Sequence, residues 1–102
     1  MADVVKLIRL DAQMWREPLE FYNALLQSLG APEWHGRNVN ALIDSMIYGG
    51  INKVEPPYRI AIAGTHAVPG IVSEEIKLVK KCLEDAQSTN PNEVLVVMDL
   101  IP

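Results

Sequence analysis

The sequence predicts an α/β fold with a parallel sheet, and three observations carry that prediction. Short apolar runs rich in β-branched residues recur at 4–11 (VVKLIRLD), 58–65 (YRIAIAGT) and 93–100 (EVLVVMDL). Between them lie stretches whose apolar residues repeat every three or four positions, the period of a helix with one buried face. The resulting order, β–α–α–β–α–β, calls for parallel strands joined by right-handed crossovers.

The first strand, 4–11, is broken only by Lys6 and Arg9. A helix over 18–29 places Phe21, Tyr22, Leu25, Leu26 and Leu29 on one face, with Pro18 suited to its first turn. Gly30 suits a left-handed stop, and Pro32 prevents continuation. Asn38 is a good N-cap for a second helix over 39–48, which Gly49 and Gly50 end. GGINKVEPP (49–57) reads as a linker and THAVPG (65–70) as a loop. In the helix over 71–88, Val72, Ile76, Val79, Leu83 and Ala86 form a core-facing stripe. Glu74 and Glu75 favour its start by the dipole. Asn90-Pro91-Asn92 breaks the chain, and the unbroken apolar run that follows is expected to be a strand buried on both faces.

The 39–48 helix has two faces. On a wheel advancing about 100° per residue, Val39, Leu42 and Met46 cluster as a core face, with Ile43 and Ile47 on its shoulder. Asn40, Asp44 and Tyr48 form a separate i, i+4, i+8 row. A lone acid and an amide thus stand one turn apart on a mostly apolar helix.

The 102 residues fit one domain, 1–102, and about half are hydrophobic, enough for one core. Cys82 is the one cysteine, so no internal disulfide can form, which fits a reducing, cytoplasmic setting. The net charge is −4, Lys77, Lys80 and Lys81 are the only basic cluster, and no basic stripe speaks for nucleic acid. No apolar run approaches the ~20 residues of a membrane span. Asp3 falls early and no long apolar h-region follows it, so no signal peptide is expected. His35, His66 and scattered acids come without a Gly-rich phosphate loop, a nucleophile elbow or metal-ligand spacing, so neither an enzyme nor a cofactor is expected.

The stretch PEWHGRNVNALID (32–44) resembles the signature of barstar-like inhibitors of guanyl-specific ribonucleases: proline and acid, two aromatics, glycine, asparagine, Ala-Leu and a closing aspartate. The order of elements around it is similar over nearly the whole chain. The resemblance implies a three-stranded parallel sheet in order 1-2-3 with helices packed on it in two layers. It also implies a short additional helix near 65–70, which Val68, Pro69 and Gly70 disfavour. By this likeness the chain would be a non-catalytic, immunity-type inhibitor, monomeric when free, plugging the basic active site of an extracellular or toxin-type ribonuclease. A barstar-fold module for a partner other than a ribonuclease is the alternative.

The resemblance also implies the partner-binding residues. Asp44 matches the deepest-inserting acid, a mimic of substrate phosphate. Trp34 and His35 match the aromatic pair: Trp34 is either an interface anchor or a ring packed under the loop, and His35 a planar group able to stack. Ile43 takes a position often aromatic, a rim contact or core. Tyr48 and Gly49 fall where the family contacts the enzyme, and Asp85 matches an acid of the last helix. Two residues depart from the pattern. Asn40 replaces an aspartate, and Arg37 stands where an acid is common. Glu33 and Asp44 against Arg37 and Lys53 leave 32–53 with no net charge, and an arginine facing an enzyme's arginine is costly.

Overall fold

The structure, a computed structural model, describes residues 5–90 and 94–102. Val4, Pro91, Asn92 and Glu93 lie outside the described residues. Strand β1 (Lys6–Asp11) leads to helix α1 (Pro18–Ser28) and then to α2 (Val39–Ile43), which runs directly into a π-helical turn at Asp44–Tyr48. Strand β2 (Tyr58–Ala63), a 3-10 turn at Thr65–Ala67, helix α3 (Gly70–Thr89) and strand β3 (Val96–Leu100) complete the order. The expected loop at 65–70 therefore contains one short helical turn, ended by the extended Val68. The sheet is parallel throughout, in order β1-β2-β3.

The register aligns Ile8 with Ile60 and Met98, and Leu10 with Ile62 and Leu100. Because strand side chains alternate, these rows share one face. Tyr58, Ile60 and Ile62 on that face are fully buried, while Arg59 and Ala63 on the other are exposed. The helices therefore cover one face only. α3 lays its expected stripe of Val72, Ile76, Val79 and Leu83 into the core, with Ala86 half-buried beside it. Each such aliphatic side chain removed from water contributes about 1.5–3 kcal/mol.

One expectation is corrected here. β3 is not buried on both faces: Val96 and Met98 point into the core, while Val97 and Asp99 are partly exposed, Asp99 pairing with Arg59 at 2.7 Å. β3 is also an edge strand, and the amide of Gln87 on α3 takes both backbone polar groups of Val96. Its Nε2 donates to the Val96 oxygen at 2.8 Å, and its Oε1 accepts from the Val96 nitrogen at 2.9 Å. A side chain thus replaces the missing neighbour strand.

α1 begins where Glu20 accepts from the backbone nitrogens of Arg16 and Glu17, and it ends at Gly30, whose φ is 64°. Trp15 is a packing residue, its ring 5.7 Å from that of Phe21. The stretch read as a linker is tied down. Val54 donates to the Leu29 oxygen at 3.0 Å and Lys53 to the Gly30 oxygen at 3.3 Å, fastening 53–54 to the end of α1.

The Tyr22 hydroxyl donates to Glu75 Oε2 at 2.5 Å, joining α1 to α3. Burial first, and then the Glu75 carboxylate, hold this phenol well above its ordinary pKa of 10.0. Burial also raises Tyr58, with a smaller contribution from Glu55. In the unfolded chain both phenols ionise near the ordinary value, while the folded chain keeps their protons. Their contribution is therefore complete below pH 10 and is lost as pH rises beyond it. Urea denaturation from pH 8 to 11.5 should show stability flat and then falling, with a shallower fall in Tyr22→Phe.

Candidate functional site

The site grows from a turn. The nitrogen of His35 donates to the Pro32 oxygen at 3.0 Å, closing residues 32–35. That turn sends its two rings in opposite directions: Trp34 is 74% exposed and His35 only 3%. The surface stacking role expected of His35 gives way to an internal one. Its Nδ1 lies 2.7 Å from the Gly36 oxygen and its Nε2 2.8 Å from Ser45 Oγ. A carbonyl only accepts, so in the neutral ring Nδ1 carries the proton and Nε2 accepts from the serine hydroxyl. One buried imidazole thereby links the turn to the helix that follows it.

Gly36 lies at a close approach, where a side chain would press on its neighbours. A Cβ there would lie 3.0 Å from Asn38 Nδ2 and 3.1 Å from the Cβ of Ala41. Asn38 caps α2 as expected, its Oδ1 accepting from the Ala41 nitrogen at 2.8 Å. The helix then widens. The Gly49 nitrogen donates to the Asp44 oxygen at 3.0 Å, an i to i+5 bond where an α-helix would close at i+4. Gly49 and Gly50 follow with φ of 81° and 84°, a region that side chains rarely adopt, and together they end the turn. Glu55 secures that end, its Oε1 accepting from the Gly50 nitrogen at 2.8 Å.

The widened turn brings Ser45, Met46 and Ile47 inward together. Leu42 and Met46 are fully buried, Val39 and Ile43 half-buried against the core, and Ile47 is core rather than shoulder. Asn40, Asp44 and Tyr48 are all exposed, Tyr48 at 68%. Beyond Tyr48 and Gly49 lies an open groove of about 810 Å³ that reaches Glu55, Pro57 and Leu95.

Arg37 and Asp85 lie on neighbouring elements. Arg37 is exposed, and its Nε donates to Asn23 Oδ1 on α1 at 2.5 Å. Asp85 is exposed on α3, and its carboxylate accepts from Lys81 at 3.1 Å, one turn earlier. α2 and the π turn pack against α3, but Asp85 makes no bond to them.

Three residues of this region escaped the sequence reading: Ser45, Asn23 and Glu55. Ser45 alone left a signal. It falls on the wheel beside Leu42, where a small hydroxyl entering the core needs a partner, and the preceding turn offers an imidazole. Among the described residues no three histidines, cysteines or acids are grouped to hold a metal, and no helix is long and apolar enough to cross a membrane.

In comparison with known proteins, residues 5–99 match the family described as Barstar (barnase inhibitor). No individual curated protein matches the chain.

The buried pair carries its own test. Ser45→Ala leaves His35 Nε2 buried without a partner, at an expected cost of about 1–3 kcal/mol. Trp34→Ala, on an exposed ring, should cost less than about 0.5 kcal/mol. Urea denaturation of the two variants reads the difference, and equal costs would contradict this geometry.

Proposed function

The chain belongs to the barstar family, and from that premise we propose that it is a non-catalytic, immunity-type inhibitor of a small ribonuclease. The observation that carries the reading is a carboxylate, Asp44, exposed and without an ion pair among the described residues, in a stretch that also exposes two rings, Trp34 and Tyr48. Large rings are the usual anchors of protein interfaces. A fixed carboxylate has the charge to take the place of a substrate phosphate before the arginines and lysines of a nuclease active site. Asn40 and Gly49 would add hydrogen bonding and close backbone approach, and Ile43 an apolar rim. His35 would act from beneath, by holding Trp34 outward. Arg37 and Asp85 would meet the partner at the margins. Inhibition would follow from blocked access, with no chemistry by the inhibitor, and would protect the cytoplasm of the cell that makes the nuclease.

The neutral charge of 32–53 favours a second reading, a barstar-fold module for a partner that is not a ribonuclease. Titration of a barnase-type guanyl-specific ribonuclease decides between them. Under the inhibitor reading, wild-type chain suppresses RNA cleavage, and Asp44→Ala weakens binding by about 2 kcal/mol or more, roughly 30-fold. Association slows as salt rises, because the net charge of −4 steers the chain toward a basic enzyme. Equal inhibition by wild type and Asp44→Ala would remove Asp44 from its role. A folded chain that neither binds nor inhibits the ribonuclease would favour the second reading.

A further inference from the structure

Arg37, in the loop that leads into α2, is exposed like Asp44 and of opposite charge. Its Nε donates to Asn23 Oδ1 at an exposed position, and among the described residues its two amino groups have no hydrogen-bond partner. The ion pairs among the described residues are Arg59–Asp99 and Lys81–Asp85, and neither involves Arg37 or Asp44. Arg37 and Asp44 are thus an unpaired cation and an unpaired anion seven residues apart, with the neutral Asn40 between them. An arginine held in one conformation gives up less freedom on binding, and its planar fork matches a carboxylate.

We propose that this face is bipolar and selects a partner of matching chemistry: an active-site mouth with basic groups opposite Asp44 and a carboxylate on the rim opposite Arg37. A mouth with an arginine or lysine at that rim position meets like charge and is rejected. The selectivity rests on the inhibitor reading above and refines it, because it names which ribonucleases the chain accepts. Asn23 is the positioning residue, since it holds the guanidinium toward the rim. Steric fit alone would leave Arg37 replaceable by any residue of similar size, whereas charge selection would not.

The test uses a barnase-type guanyl-specific ribonuclease and variants of it in which each arginine or lysine at the rim of its active site is replaced, one at a time, by glutamate. Dissociation constants are measured by calorimetry. At least one glutamate variant should bind wild-type chain 10-fold or more tighter than the unmodified enzyme does. That gain should vanish with Arg37→Ala, reverse with Arg37→Glu and shrink with Asn23→Ala. A gain that persists in Arg37→Ala, or no gain in any variant while Asp44→Ala still weakens binding, would overturn the bipolar selection and leave the inhibitor reading standing. If no chain, Arg37→Glu included, binds any of the enzymes while circular dichroism shows the chains folded, the inhibitor reading falls and this inference with it.

Discussion

A buried imidazole with both nitrogens hydrogen-bonded holds the candidate recognition surface together. His35 sits between the Gly36 oxygen and the Ser45 hydroxyl, and it spans the chain from the turn at 32–35 to the π turn at 44–48. Without a partner a buried polar ring is costly, so the pair resists any conformation that separates turn from helix. Trp34, next to this buried ring in the turn, points into solvent. Ser45 faces inward to reach His35, while Asp44 before it stands exposed. Glu55 and the two glycines fix the other end of the same turn.

The sheet beneath is built for one-sided burial. Ile60, Ile62, Val72, Val79 and Leu83 form a layer between strands and helices, and the opposite face keeps the Arg59–Asp99 pair in solvent. An exposed ion pair of this kind contributes little to stability, so the fold's energy lies almost wholly in the single core. The helices stand on the covered side, where α2 and the π turn pack against α3.

Much of this was legible in the sequence because periodicity is a strong signal over long segments. The stripe of α3 and the outward row of Asn40, Asp44 and Tyr48 both follow from spacing alone. What was hidden depends on tertiary partners. The wheel assumes about 3.6 residues per turn, and a π turn breaks that assumption at Asp44, which is why Ile47 is core. The burial of His35 follows from Ser45, ten residues away. An apolar run such as 93–100 does not reveal whether its second face is covered; Val97 and Asp99 stay partly open because the helices lie on one side only. The composition of 49–57 suggested a linker, yet two backbone bonds to the end of α1 hold it.

The most direct measurement of the central claim is a titration of the 15N-labelled chain with an unlabelled barnase-type ribonuclease, followed by NMR. The largest shift changes are expected at the Trp34 indole and at the amides of 36–50, with Leu7, Arg59 and Val97 on the open sheet face unmoved and the Nδ1–H tautomer of His35 retained. Changes gathered on the open sheet face, with Trp34 and Asp44 undisturbed, would contradict it.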